Sequence, residues 1–493
     1  MDYVSTRNEK IRVSSSFAIT HGIAADGGLF IPVSIPSLSD GDFSDLRSMS
    51  YVERAAFVLK KYLPDFSDEE IEACVKGAYT DSFDNNDPAP LAELGADTRL
   101  IELWHGPTCA FKDLALQLLP YLMTTAAKHE ADGKKIVILV ATSGDTGKAA
   151  LEGFKDVDDT EIIVFYPSDG VSRAQKLQMA TQEGKNVHVY GIVGNFDDAQ
   201  TGVKQIFNKQ SVVERFAANG YEFSSANSIN WGRLVPQIVY YISAYCDMLN
   251  EGADLSHGFN ITVPTGNFGN ILAAYFAKAM GVPVNKLICA SNKNKILTDF
   301  INTGKYDKNR EFYTTISPSM DILISSNLER MLYILSDEDE YVRDLQFELL
   351  TEGRFEVGDD IKRKMSEIFY GGYCDDDKTR KTIASLYREF GYLCDTHTAV
   401  AVTVANEYKE KTGDNRPMVI ASTASPYKFT KSVLLSLGSE VPDDEFEAIE
   451  KLNSITGVAV PTPISSLSGK AIRFKDVIDK SGIENAVYSA LNL

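Results

Sequence analysis

Residues 104–117, Trp-His-Gly-Pro-Thr-Cys-Ala-Phe-Lys-Asp-Leu-Ala-Leu-Gln, set Lys112 between a Gly-Pro turn and an apolar helix. An ammonium is poorly placed at a helix N-terminus, where the backbone dipole is already positive; the mismatch is worth about 0.3–1 kcal/mol. Partial burial acts in the same direction. Both lower the proton affinity of the amine, and the uncharged amine is the nucleophile that condenses with an aldehyde cofactor. The plainer reading is an exposed lysine that opens an ordinary helix. Loops elsewhere in the chain favour the chemical one.

Thr142-Ser143-Gly144-Asp145-Thr146-Gly147 follows the apolar run 135–141 and leads into a helix from Lys148. Its two glycines allow close backbone approach, and helix amides with three hydroxyls offer donors to an anion. A Walker A loop is excluded, because its first glycine is missing and Ala149 replaces its Ser/Thr. Pro264-Thr265-Gly266-Asn267-Phe268-Gly269-Asn270 joins the run 259–263 to a helix over 271–280 that Gly281 closes. Gly-x-x-Gly at such a junction is an anion cradle suited to a cofactor phosphate, without the spacing of a dinucleotide loop. Ser422-Thr423-Ala424-Ser425-Pro426, after the run 418–421, leaves hydroxyls and no carboxylate at the mouth of a sheet. For an aldehyde cofactor built on a heteroaromatic ring, a hydroxyl there would hydrogen-bond a neutral ring nitrogen, whereas a carboxylate would hold that nitrogen protonated. Ser225-Ala-Asn227-Ser228-Ile-Asn230-Trp-Gly-Arg233 places an arginine and small donors before a helix over 235–249, which fits recognition of a phosphate or carboxylate. Taken singly, each loop also reads as a βα turn or a helix cap.

The elements that must position these loops alternate. Short apolar runs at 135–141, 161–166, 187–190, 259–263, 287–290 and 418–421 are separated by amphipathic helices, the pattern of parallel sheets flanked by helices. Residues 1–95 form a mainly helical N-terminal domain. In it Ser50-x-x-Glu53 and Ser67-x-x-Glu70 are capping boxes, the first helix stopping at Pro64 and the second fading near Gly77. A linker over 81–90 precedes a smaller α/β domain, 96–225, carrying Lys112. A larger one, 226–493, contains an acidic stretch over 336–380 that ends in Gly371-Gly372 and Asp375-Asp376-Asp377, expected to be surface helices and a loop without chemistry.

The 493 residues exceed a single core, and 44% apolar with 24% charged residues is a globular balance. No apolar run of membrane-spanning length occurs, nor a basic-then-apolar start of the secretory kind. Cys74, Cys109, Cys246, Cys289, Cys374 and Cys394 are scattered without a Cys-x-x-Cys pair, as expected of reduced thiols in a cytoplasmic enzyme with no metal site. A net charge of −20 argues against nucleic acid, yet local arginines can still hold a small anion across a Debye length of about 8 Å.

These segments resemble the threonine synthase family. The match runs through Ser5-Thr-Arg7, Asp26–Pro32, His105–Asp113, Thr142–Gly147, Ser225–Arg233 and Gly266–Asn270. It continues through Lys295–Phe300, Ser319–Ile322, Ser325–Arg330 and Ser422–Phe429. The resemblance implies the fold type II pyridoxal phosphate architecture, similar to the tryptophan synthase β subunit, in the longer microbial branch with an extra N-terminal domain. It implies pyridoxal 5'-phosphate as cofactor, carried by Lys112. Residues Gly266, Asn267, Phe268, Gly269 and Asn270 would cradle its phosphate, and Thr423 would face its pyridine nitrogen. Ser143, Asp145 and Thr146 would grip the substrate carboxylate, and Asn227, Ser228 and Arg233 the substrate phosphate.

The implied reaction turns O-phospho-L-homoserine and water into L-threonine and phosphate by γ-elimination and β-addition, the last step of threonine biosynthesis, in a cytoplasmic monomer or homodimer. Asp145 stands where related enzymes often have Asn. Ser425-Pro426-Tyr427 stands where His-Pro-Ala is expected, and Thr396 where Pro is. A lyase that eliminates phosphate from a phosphorylated amino acid and releases ammonia shares every motif, so product analysis separates the two. A non-catalytic binding protein on the same scaffold would not need Lys112.

Overall fold

The computed structural model describes residues 1–84, 87–130, 133–142, 144–168, 171 and 173–493. Its strands run in chain order as β1 (Tyr3–Ser5), β2 (Asn8–Val13), β3 (Phe30–Pro32), β4 (Leu91–Glu93), β5 (Thr98–Glu102), β6 (Lys135–Ala141), β7 (Thr160–Pro167) and β8 (Val187–Val193). They continue as β9 (Tyr221–Ser224), β10 (Phe259–Pro264), β11 (Val284–Ser291), β12 (Lys305–Asp307), β13 (Arg354–Glu356), β14 (Phe369–Tyr373), β15 (Met418–Ser422) and β16 (Val477–Asp479). One sheet has the order β14-β11-β10-β15-β5-β4, with only the β4–β5 pair antiparallel. A second, β16-β8-β7-β6-β9, is parallel throughout. All six apolar runs read from the sequence are strands here. Every residue of β10 and β15 is buried, because helices cover both faces of a parallel sheet.

Parallel strands share polarity, so their C-terminal loops leave one edge together, neighbours about 4.8 Å apart. In the first sheet this aligns the loops after β5, β15 and β10, which carry Lys112, Thr423 and the glycine cradle. In the second it aligns the loops after β6 and β9, which lead to Asp145 and Arg233. The short helix Lys112–Leu116 packs against the helices Asp145–Phe154 and Trp231–Asn250, joining the two edges. Gly153 makes that approach possible, since a Cβ on it would lie 1.9 Å from the Leu116 carbonyl oxygen.

The N-terminal residues brace the site. Both capping boxes form, heading the helices Tyr51–Tyr62 and Asp68–Tyr79. The Trp231 ring packs against Tyr3, Tyr62 and Phe276 at centroid distances of 5.4, 5.6 and 5.5 Å, which anchors the first turn of the Arg233 helix in the core. Asn230 Nδ2 donates to the Ile19 carbonyl at 2.8 Å, tying the same turn to the helix Ser15–His21.

Three expectations gain detail or change. The N-terminal region is mainly helical but also holds the antiparallel sheet β2-β1-β3, whose strands are too short to show a period in the sequence. Gly371-Gly372 is not a loop but part of β14, at the edge of the six-stranded sheet. Glycine is needed there because a Cβ on Gly372 would lie 2.5 Å from Val404 Cγ1. Sheet membership also departs from the domain spans: β5, within 96–225, belongs to the six-stranded sheet, and β16, within 226–493, to the five-stranded one. Of the expected linker, residues 85 and 86 lie outside the described residues; Asp84 N–H donates to the His105 carbonyl at 3.0 Å.

Candidate active site

The lysine loop is stitched to the loop after β15. Ala110 and Ala424 form an isolated antiparallel bridge, Phe111 N–H donates to the Thr423 carbonyl at 2.9 Å, and Ser425 N–H to the Cys109 carbonyl at 3.1 Å. The turn before Lys112 closes on Asp113, which accepts from Thr108 N–H at 2.9 Å and Thr108 Oγ1 at 2.5 Å. Burial pushes the Asp113 carboxyl up to about 6 against those two hydrogen bonds. Lys112 Nζ stands 3.9 Å from Asp145 Oδ2. Its proton affinity lies below that of an ordinary lysine: burial leads, and the positive charges of Lys428 and Arg233 add to it against the pull of Asp145. The direction agrees with that expected from the sequence, with burial the leading cause.

Asp145 is a carboxylate among cations. Its Oδ1 lies 3.0 Å from Lys428 Nζ and accepts from Gln175 Nε2 at 3.1 Å. Burial works against its charge, and Lys428 with Lys112 more than offsets that, holding the group well below the usual carboxylate range. The helix opens at Asp145, not at Lys148. Thr142 Oγ1 accepts from Gly144 N–H and Gly147 N–H, so those two amides are engaged within the turn. Lys148 is paired with Glu152 at 2.7 Å. Thr146 is half-buried one residue into the helix, and Ser143 lies outside the described residues.

The cradle at 266–270 follows β10. Phe268 adopts φ +62°, the left-handed region, at the start of the helix Gly269–Ala279, and no side chain caps that terminus. Gly266 is pressed against its neighbours: a Cβ on it would lie 2.7 Å from the Ser319 carbonyl oxygen. Ser325 Oγ donates to the Gly266 carbonyl at 2.7 Å, and Asn327 N–H to the Asn267 carbonyl at 3.0 Å. Asn270 Oδ1 accepts from Tyr241, while its buried Nδ2 has no partner among the described residues. His397 supports the cradle from behind. Its Nε2 accepts from Ser319 N–H at 3.1 Å, so the ring proton sits on Nδ1, 2.7 Å from Asp395 Oδ2.

Thr423 is buried beside the lysine loop. Beneath it, Ser422 Oγ accepts from Trp104 Nε1 and Thr398 Oγ1, each at 3.1 Å. On the other edge Arg233 falls within the first turn of its helix. Nη1 donates to the Ala226 carbonyl at 2.6 Å, and the buried Nε has no partner among the described residues. Burial lowers the guanidinium to about 10, which leaves it charged at neutral pH. Asn227 is exposed, its N–H donating to Ser225 Oγ at 3.2 Å, and the Ser228 carbonyl accepts from Asn327 Nδ2 at 3.0 Å. Asn327 thus touches both anion loops.

Sequence reasoning missed Lys428, Asp113, Ser325, Asn327 and His397 as parts of the site. Ser325 and Asn327 sit in a segment that carried the family resemblance without a role, which was the available signal. Lys428 and Asp113 had the same signal, lying in the matched segments Ser422–Phe429 and His105–Asp113. A cavity of about 210 Å³ is lined in part by Arg7, Ser325 and Glu329. Arg7 and Glu329 pair there at 2.7 Å, so it offers no unopposed charge.

Partnerless buried N–H groups at Asn270 and Arg233, an uncapped helix start and a close-packed glycine turn fit a phosphate-bearing cofactor and an anionic substrate. With a buried lysine between two parallel sheets, this is the plan of a pyridoxal-phosphate-dependent enzyme. Family models agree. "Threonine synthase N terminus" matches residues 2–79, "Pyridoxal-phosphate dependent enzyme" residues 88–346, and "Threonine synthase, C-terminal" residues 398–482.

The threonine synthase of Pseudomonas aeruginosa is 38% identical over 435 residues, covering 88% of this chain and 90% of that protein. The human protein threonine synthase-like 1 is 39% identical over 456 residues, covering 88% of this chain; the aligned region spans 60% of that longer relative. Among solved structures, the pyridoxal-phosphate-bound threonine synthase from Brucella melitensis superposes with a TM-score of 0.89 at 37% identity, over 99% of both chains. The yeast threonine synthase gives 0.89 at 32% identity, covering 100% of this chain and 99% of that one. The chain belongs to the threonine synthase family.

Proposed function

We propose that this chain converts O-phospho-L-homoserine and water into L-threonine and phosphate, as a carbon–oxygen lyase of fold type II. The observation that carries the reading is the placement of Lys112 between two anion-accepting edges, one ending in Asn270 Nδ2 and the other in Arg233 Nε. Residues 266–270 would hold the cofactor phosphate, and the Thr423 hydroxyl would face the pyridine nitrogen. Bound pyridoxal phosphate supplies an electron sink for negative charge developing on the substrate carbons. Lys112 Nζ, whose proton affinity burial lowers, would take the proton from Cα and serve as the base at Cβ. Arg233 holds the substrate phosphate with Asn227 and Ser228 and stabilises its charge as it leaves Cγ. Ser143, Thr146 and the backbone start of the Asp145 helix take the α-carboxylate; the Asp145 side chain is engaged by Lys428 and Gln175.

The partner is a small molecule, since the net charge of −20 disfavours nucleic acid. Among the described residues no helix is long and apolar enough to cross a membrane. All six thiols are buried and unpaired, which supports a cytoplasmic setting. The test is incubation of the full chain with pyridoxal phosphate and O-phosphohomoserine, followed by amino-acid and ammonia analysis. Threonine with equimolar phosphate is expected. Ammonia and a keto acid in place of threonine would overturn the assignment in favour of a plain elimination.

A further inference from the structure

We propose that Lys428 is a positioning residue whose ammonium engages Asp145 and so stops that carboxylate from holding a proton on Lys112. Lys428 lies in the turn Pro426–Phe429, just past the Thr423 loop, with its side chain 3% exposed against 6% for Asp145. The two lysines compete for one buried carboxylate. Lys428 Nζ is 3.0 Å from Oδ1, while Lys112 Nζ is 3.9 Å from Oδ2. Lys428 also donates to the Thr108 carbonyl at 2.8 Å, an acceptor that anchors its charged form.

One carboxylate does not compensate two buried ammonium groups, so the less well held amine gives up its proton. That amine is Lys112, which also feels Arg233, with Asp113 the remaining acidic neighbour. The opposite trends of the two lysines agree: burial disfavours both charges, yet Asp145, with lesser help from Cys109 and Asp113, lifts Lys428 above its ordinary value while Lys112 falls below. Asp145 and Lys428 therefore act as one neutral unit. This also explains how a carboxylate is tolerated at the start of a loop that must accept an anionic substrate.

The inference rests on the reading of Lys112 as the amine that takes up the cofactor aldehyde. Its test follows Lys112 itself rather than turnover. Full-length protein is mixed with pyridoxal phosphate over a range of pH and reduced with borohydride, and the labelled fraction of Lys112 is read by peptide mass analysis. Lys428→Met should raise the pH midpoint of labelling by about one unit or more, because Asp145 then pairs with Lys112. Adding Asp145→Asn to that variant should bring the midpoint back down. If Lys428→Met does not fold, Lys428→Gln takes its place, and in the Asp145→Asn background loss of Lys428 should leave the midpoint nearly unmoved. An unmoved midpoint on loss of Lys428 with Asp145 present, or failure of Asp145→Asn to reverse the shift, overturns the role of Lys428. Absence of label on Lys112 in the unaltered protein would instead overturn the reading of Lys112 and the inference with it.

Discussion

At the edge of the six-stranded sheet the cradle is hemmed in from behind. Ser319 abuts Gly266, Ser325 holds its carbonyl, Asn327 holds the next one, and the Asp395–His397 pair holds Ser319. At the edge of the five-stranded sheet the turn after β6 is held by its own Thr142 and, through Asp145, by Lys428 and Gln175, while the Arg233 guanidinium makes one hydrogen bond among the described residues, to Ala226, with Nε left over. One edge has its backbone shape over-determined and suits a group that stays. The other keeps a buried charged donor in reserve and suits a ligand that arrives and leaves. Lys112 belongs to both, through its bridge to the Thr423 loop and its approach to Asp145.

Substitutions can break this contrast. The largest effect is expected at the shared residue: Lys112→Ala should lower kcat by at least about 10²–10⁴-fold and remove the borohydride-trapped cofactor, both measured on the same preparation. Arg233→Ala should raise KM for the phosphorylated substrate by about 1.5–3 kcal/mol, the range of a charged hydrogen bond, while cofactor affinity stays constant. A fall in cofactor affinity in that variant would show that the two edges do not divide the work as proposed. Gly266→Ala is the converse. Its Cβ meets the Ser319 carbonyl, and overpacking of about 1–3 kcal/mol should appear as weaker cofactor binding by fluorescence titration, with KM little changed. The smallest effect is expected for Thr423→Val, where loss of one neutral hydrogen bond of about 0.5–1.5 kcal/mol should slow turnover and shift the cofactor absorbance without releasing it.

Much of the cradle edge was legible because its signals are local. Gly266-x-x-Gly269 after an apolar run, and Gly106-Pro107 before a lysine, are short-range patterns whose backbone consequences do not depend on distant residues. The other edge was legible in its donors but not in their use. Thr142 looks like a free hydroxyl until its oxygen is found between Gly144 N–H and Gly147 N–H. Gly371-Gly372 reads as a break because glycine punctuates most loops, yet here it thins β14 so that Val404 can pack against it.

The sequence by itself determined the alternation of strands and helices, the identity of the lysine and the loops at which donors gather. Periodicity, caps and glycine turns act over a few residues, which is why these could be read directly. Only the tertiary structure decided that Lys428 and Asp145 would neutralise each other beside Lys112, and that β5 would run next to β15. Those depend on which strand ends become neighbours and on how far burial strengthens charge between groups remote in the chain, quantities that no local window of residues contains.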